Sequence, residues 1–209
     1  MLKHEIYRKL VHLFAIIIPL LYYFVIKSQI VAISILLPIA LISVVVDAAR
    51  MENPNLKNKF YKVFGQHLRD EEASSLTGAS YLLTSSVITI AIFSKEIAFL
   101  AISYLVVGDT FAAMFGIRMG KRKIVRTRKT IEGLIGCFFS CAIYGLICYF
   151  LFLKIVFAYP DHNPQFAIIM ILIGSLVASI TEVTNLHIND NISIPIISGI
   201  AMSVIYIFI

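Results

Sequence analysis

An all-α, polytopic membrane bundle is the fold class this sequence predicts, and three observations predict it. Hydrophobic residues make up 59% of the 209-residue chain and charged ones 14%, with mean hydropathy +0.90, which is outside the soluble globular range. Apolar runs approach the ~20 residues that a helix needs to cross ~30 Å of hydrocarbon. No run alternates like a membrane barrel strand, and lipid satisfies no backbone polar group, so each apolar run is expected to be a helix.

The first crossing is expected over Leu10 to Ile26. A basic segment precedes it but no small-x-small cleavage site interrupts it before Lys27, so it reads as a retained helix. Glu5, Arg8, Lys9 and His12 fall at i, i+3, i+4 and i+7 and form one polar stripe. The second crossing, Ile30 to Val46, ends in Asp47 and Arg50. In the following loop Leu56, Phe60, Phe64 and Leu68 recur every four residues with Lys57, Lys59 and Lys62 between them, the pattern of an amphipathic helix lying on a membrane. Arg69, Glu71, Glu72 and Thr77-Gly78 lead into a short third helix, Ala79 to Phe93.

The fourth helix, Ile97 to Ile117, carries Gly108, Ala112, Gly116 and, just beyond, Gly120, a ladder of small residues that lets a backbone or a ligand approach closely. Asp109 stands beside that ladder, roughly 18 Å into the helix at 1.5 Å per residue. A carboxylate at that depth costs at least ~2.5 kcal/mol, so it must face a partner or a wet cavity. The basic loop that follows has seven cations between Arg118 and Lys129 and no acid. Thr130-Ile-Glu132-Gly133 opens the fifth helix, Ile131 to Phe152, in which Cys137, Cys141 and Cys148 read as small packing residues. Glu182 sits near the end of the sixth, Phe166 to Thr184. The loop Asn185 to Asn191 precedes the seventh, Ile194 to Ile209, with Pro195 in its first turn. No domain boundary, repeat or low-complexity tract divides residues 1–209, so one domain is expected.

Fifteen of the 18 Lys and Arg residues fall in the N-terminal segment and the two loops on its side of the membrane; Lys27, Lys95 and Lys154 fall opposite. The positive-inside rule places the N-terminus in the cytoplasm and, with seven crossings, the C-terminus outside. The net charge of +6 thus reflects topology and anionic lipid, and nucleic acid is not needed to explain it.

Read in this orientation, the polar clusters converge on the cytoplasmic face. Carboxylates (Asp109, Glu132 and Asp190, with Glu182 a further candidate), many cations and a helix start with free N–H groups suit a magnesium-phosphate ligand. A membrane-embedded phosphotransfer or nucleotidyl-transfer site is the chemistry implied. Taken singly, most features have plainer readings. The basic loop is a topology determinant, the small-residue ladder is helix packing, Thr130 with Glu132 is a cap and Asp190-Asn191 is a turn. Asp109 has no such reading. Gly116-x-x-x-Gly120-Lys121 is one residue short of a P-loop and has Arg122 where Ser or Thr belongs; GxGxxG, HExxH and CxxC are absent.

These residues resemble the family of dolichol kinases, phytol kinases and CTP-dependent diacylglycerol kinases, itself similar to the phosphatidate cytidylyltransferases. The resemblance covers nearly the whole chain. It rests on Glu5-x-x-Arg8-Lys9-x-x-His12, on Glu71 or Glu72 with Thr77-Gly78, on Gly108-Asp109-x-x-Ala112-x-x-x-Gly116-x-x-x-Gly120-Lys121 followed by Lys129-Thr130-x-Glu132-Gly133-x-x-Gly136, and on Glu182 followed by Asp190-Asn191-x-x-x-Pro195. The chain matches a catalytic core without the extra helices of the larger eukaryotic dolichol kinases.

The resemblance implies that a lipid alcohol's hydroxyl attacks the γ-phosphate of a nucleotide, commonly CTP, with Mg²⁺. Asp109 and Asp190 are then expected to hold the metal or orient the hydroxyl, with Asn191 fixing a carboxylate. Arg8, Lys9, Lys121 and Lys129 would bind phosphate, aided by backbone at Gly108, Gly116, Gly120 and Gly133. Thr130 and Glu132 would shape the helix start, and Glu5 and His12 would complete the site, with Glu72, Thr77 and Glu182 as further polar members. The acceptors open to it are polyprenol, dolichol, phytol-like alcohols and diacylglycerol, in what reads as a prokaryotic plasma membrane. A cytidylyltransferase acting on a lipid phosphate is the nearest rival. A transporter, which would show repeats and broken helices, ranks well below.

Overall fold

Helices form over all seven apolar runs. The computed structural model describes residues 2–26, 28–65, 68, 70–125, 127, 129–153, 164–184, 186 and 188–207, with side chains described from residue 8 onward except at 70, 71 and 164. Among the described residues the one extended feature is an isolated bridge between Lys123 and Thr130.

The first span starts with α1 (Leu2–Leu13). It tightens into a three-ten turn at Phe14–Ile16, continues as α2 (Ile17–Leu20) and ends in a π turn at Leu21–Val25. Pro19 accounts for the tightening: it offers no N–H to the carbonyl of Ala15, and its ring crowds that carbonyl. The long α3 (Gln29–Glu52) is capped by the Ser28 side chain and accommodates Pro38 within it. The amphipathic α4 (Pro54–Phe64) has Asn53 as N-cap and proline at its first position, and a three-ten turn (Asp70–Ala73) follows. The short α5 (Gly78–Ile92) is capped by Thr77. The remaining helices are α6 (Lys95–Met119), α7 (Ile131–Cys148) with a π turn at Tyr149–Leu153, α8 (Pro164–Val183) and α9 (Asp190–Tyr206).

Among the described residues, five spans are long and apolar enough to cross a membrane: Arg8–Val25, Gln29–Glu52, Lys95–Met119, Ile131–Leu153 and Gln165–Val183. The helices α5 and α9 are apolar but shorter. At 1.5 Å per residue, the fifteen residues of α5 fall short of the hydrocarbon thickness.

At the centre stands α6, buried at every residue from Ile97 to Thr110 and packed against α1, α5, α7, α8 and α9. The contact between α6 and α7 is where the small residues are used. A Cβ added at Gly108 would lie 2.9 Å from the sulfurs of Cys137 and Cys141, and one at Gly133 would lie 2.9 Å from the carbonyl of Ala112. By contrast α3 lies at the edge of the bundle, resting on α5 and α4, and only Ala32, Ala40, Asp47 and Arg50 along it are buried. Most of its Leu, Ile and Val side chains face outward, as lipid-facing residues do, while Ile33 and Leu36 pack against the core.

The start of the last helix differs from expectation. The seventh helix begins at Asp190, four residues before Ile194, because the Asn189 side chain accepts the N–H of Asn191 and caps it there. Pro195 therefore sits in the second turn, where its missing N–H deprives only the carbonyl of Asn191.

Candidate active site

The stripe on α1 meets α6. Lys9 and His12 project from successive turns of α1 onto Asp109: the Lys9 ammonium forms an ion pair with Asp109 Oδ2, and His12 Nε2 lies 3.7 Å from the same oxygen. Thr110 Oγ1 donates to the carbonyls of Val106, at 2.8 Å, and Lys9, at 3.4 Å, which ties the helix backbones together. Lys9 is 5% and Asp109 8% exposed. The acid that had no structural reading in lipid thus has a cation beside it, and the pair offsets the cost of burying each charge.

These groups line a cavity of about 820 Å³ with two kinds of wall. Arg8, Lys9, His12, Asp109, Asp47, Glu72, Thr77 and Asn191 supply polar atoms. Val11, Ala15 and Ile18 of α1, Leu82 and Leu83 of α5, and Phe60, Val63, Phe64 and Leu68 of the amphipathic segment supply an apolar surface. An amphiphile with an anionic or hydroxyl end and a hydrocarbon tail matches such a lining.

The cavity's acids differ in what they have left to offer. Asp47 accepts from Arg50 Nε at 2.7 Å, from the Thr77 N–H at 2.8 Å and hydroxyl at 2.9 Å, and from Ser80 Oγ at 2.6 Å. Its lone pairs are spoken for. Glu72 Oε1 accepts the N–H of Gly78 at 3.1 Å, and Asn191 Nδ2 donates to the Gly78 carbonyl at 2.9 Å. Asn191 thus fixes the start of α5 rather than a carboxylate. Asp109 is held from another helix, by the Lys9 ammonium with His12 beside it.

A second charge cluster lies at the end of the basic loop. There Lys129 Nζ bonds Asp190 Oδ2 at 2.8 Å, lies 3.2 Å from Glu182 Oε1, and donates to the Glu182 carbonyl. Burial works against the Lys129 charge, yet the charges of Glu182 and Asp190 outweigh it and hold the ammonium's pKa above its ordinary value. Asp190 takes this position because it is the first residue of α9, just beyond the Asn189 cap.

The expected site residues therefore divide. Arg8, Lys9, His12, Asp109, Glu72, Thr77 and Asn191 share the cavity; Lys129, Glu182 and Asp190 form the neighbouring cluster. Glu132 pairs with the exposed Arg122, accepting its N–H at 3.3 Å and its Nε at 3.4 Å. Thr130 caps α7 by accepting the Gly133 N–H at 3.1 Å. Lys121 is exposed. Gly108, Gly116, Gly120 and Gly133 face α7 side chains or neighbouring backbone, with Thr130 Oγ1 within 3.2 Å of a Cβ at each of the last three, so close helix packing already requires them to be small. The Glu5 and Glu71 side chains, Arg69, Asn185 and His187 lie outside the described residues.

A shared metal site between Asp109 and Asp190 is not what the geometry presents: the two acids face different lysines, and no group of three His, Cys, Asp or Glu side chains is placed for a metal among the described residues. Mg²⁺ held chiefly by nucleotide phosphates needs only one or two protein carboxylates, a demand Asp109 alone can meet.

Arg50 and Ser43 carry no weight in the sequence reading, yet they support the cavity wall. Ser43 Oγ lies 2.6 Å from Ser80 Oγ, and Arg50 bonds Asp47. The legible signal was Asp47-x-x-Arg50 at helical spacing near the end of an apolar helix, an oppositely charged pair that lipid would not tolerate apart.

The model of the cytidylyltransferase family matches residues 2–185, nearly the whole chain. The chain belongs to the cytidylyltransferase family. Within reach of this family's sequences, it is 30% identical over 193 residues to an uncharacterized protein of Rickettsia prowazekii, covering 90% of this chain and 88% of that one. It is 25% identical to the CTP-dependent diacylglycerol kinase 1 of Saccharomyces cerevisiae, covering 97% of this chain and 74% of the yeast protein. The CTP-dependent diacylglycerol kinase 1 of Eremothecium gossypii is also 25% identical, over 78% of this chain and 55% of its own length. No solved structure matches the chain.

Proposed function

We propose that this cytidylyltransferase-family member is a CTP-dependent lipid kinase that moves the γ-phosphate of CTP to the hydroxyl of a membrane lipid alcohol, with diacylglycerol the first acceptor to test. The observation that carries the reading is the cavity itself, where the Lys9–Asp109–His12 group adjoins an apolar wall that suits a lipid tail. The yeast-type relatives supply the nucleotide and the first acceptor. In the oriented protein the cation-rich N-terminus and loops lie in the cytoplasm, where the nucleotide is available.

In this mechanism the acceptor oxygen forms a bond to the γ-phosphorus, the bond from that phosphorus to the β,γ-bridging oxygen breaks, and CDP leaves. The hydroxyl proton passes to His12, which lies beside Asp109 at the polar end of the cavity. Arg8 and Lys9 receive phosphate oxygens, Lys9 leaving Asp109 as the nucleotide arrives. Asp109 is the residue that would hold Mg²⁺, which when bound would supply neutralisation of the charge that spreads over the transferred group. Phosphoryl transfer needs mainly such positioning and neutralisation, and no strong nucleophile.

The family's description favours a second reading, in which a lipid phosphate attacks the α-phosphorus of CTP and pyrophosphate leaves. One experiment separates the two. Purified protein is incubated with γ-labelled CTP and Mg²⁺ against diacylglycerol, isoprenoid alcohols and phosphatidate. Label in the lipid supports the kinase, label in pyrophosphate supports the cytidylyltransferase, and label that stays in CTP with every acceptor refutes both.

A further inference from the structure

Arg50 is wholly buried in a chain segment that is otherwise edge helix, yet it lies outside the cavity lining. It links α3 directly to α4 and to the loop at Ser75, and through Asp47 to the start of α5. From α3 its Nε bonds Asp47 Oδ1 at 2.7 Å. Its Nη2 bonds the carbonyl of Ser75, at 2.7 Å, in the loop between Glu72 and the start of α5. The guanidinium stacks over the Phe60 ring of α4, 5.0 Å from its centroid. Through Asp47, which it neutralises, it also bears on the N–H and hydroxyl of Thr77 and the hydroxyl of Ser80 at the first turn of α5. Phe60, Glu72 and Thr77 all line the cavity.

We propose that Arg50 is a positioning residue for the lipid acceptor: it pins the apolar wall carried by α4 and the Glu72 loop against α5, and so shapes the end of the cavity that receives the acceptor's tail. This rests on the cavity being the active site of a lipid kinase. The planar guanidinium is suited to the task because it serves a carboxylate, a carbonyl and an aromatic face at once, which a lysine ammonium on its flexible stem does not. The nucleotide end, built on Arg8, Lys9 and Asp109 from α1 and α6, has no bond to Arg50.

The test uses the full chain in phospholipid nanodiscs and the variants Arg50→Lys and Phe60→Leu. Arg50→Lys keeps a cation beside Asp47, so the buried carboxylate is not stranded, and Phe60→Leu leaves the ion pair untouched. Both are expected to raise the KM for diacylglycerol about tenfold, the equivalent of ~1.4 kcal/mol, while the KM for CTP stays within about twofold, a change worth under ~1 kcal/mol. Equal rises in both KM values, a loss of kcat alone, or unchanged kinetics would each overturn the proposal. Labelling by a photoreactive diacylglycerol without nucleotide gives a second readout independent of turnover: it is expected to fall in both variants, and labelling equal to wild type overturns the proposal. If the wild-type protein phosphorylates no lipid alcohol, the kinase reading fails, and the labelling result alone decides the role of Arg50.

Discussion

At the scale of single residues, Asp109 concentrates both the cost and the use of charge in this protein. An acid in the apolar part of a helix was legible as a functional candidate because lipid gives it no default partner. Its partner was not legible, because Lys9 is a hundred residues away and an N-terminal basic segment has an ordinary role as a topology signal. If Asp109 holds the nucleotide's metal, Asp109→Asn removes that charge with little change in volume. Turnover is expected to fall by about 10³-fold, the scale of losing a principal electrostatic contributor, while membrane insertion measured by carbonate extraction is unchanged. Lys129 allows a prediction about pH. Its pKa is raised in the fold, so its pair with Glu182 and Asp190 contributes fully below the ordinary lysine value of 10.5 and is lost only as pH rises past its elevated value. Melting temperature should therefore show no loss from this cluster between pH 7 and 9. Lys129→Met strands the buried Glu182 and is expected to cost about 3 kcal/mol, with a loss that shrinks as acid protonates the carboxylates.

At the scale of elements, a helix over each apolar run followed from run length, and the caps at Ser28, Asn53, Thr77 and Thr130 follow from residue type at the helix starts. The start of α9 escaped the reading because Pro195 marks a helix start in general, and here Asn189 takes the cap instead. The small-residue ladder of α6 was legible as a place of close approach but not as to what approaches. Its occupant is α7, whose own Gly133 and Gly136 bring the backbone in, the latter against Phe115. A substitution tests this packing. Gly133→Val would place a Cβ 2.9 Å from the Ala112 carbonyl, a backbone atom that cannot swing aside. The expected loss is about 1–3 kcal/mol, read as a lower unfolding temperature in detergent. Gly65→Ala, whose added carbon would lie 3.4 Å from the Tyr61 ring at ordinary contact distance, is expected to leave that temperature near wild type.

For the whole molecule, the strongest sequence argument and the proposed site depend on the same asymmetry. On the seven-crossing expectation fifteen of the 18 cations fall on one side, and the polar cavity wall is built from α1, the end of α3, Asp109 within α6, Glu72, and the starts of α5 and α9, which that expectation turns toward the same side. If the positive-inside assignment holds, the site opens to cytoplasmic CTP; if it is inverted, no such nucleotide reaches it. Site-directed labelling decides between these cases on favourable terms, because Cys137, Cys141 and Cys148 are all buried and should react little. Ser94→Cys replaces an exposed residue that makes no side-chain cap at the start of α6, and Lys123→Cys lies in the exposed basic loop at its other end. A membrane-impermeant maleimide added to intact cells is expected to label Ser94→Cys and to reach Lys123→Cys only after permeabilisation. The reverse pattern would turn the protein over in the membrane and remove the cytoplasmic nucleotide from its chemistry, whereas the expected pattern joins the charge bias, the cavity and the CTP supply on one face.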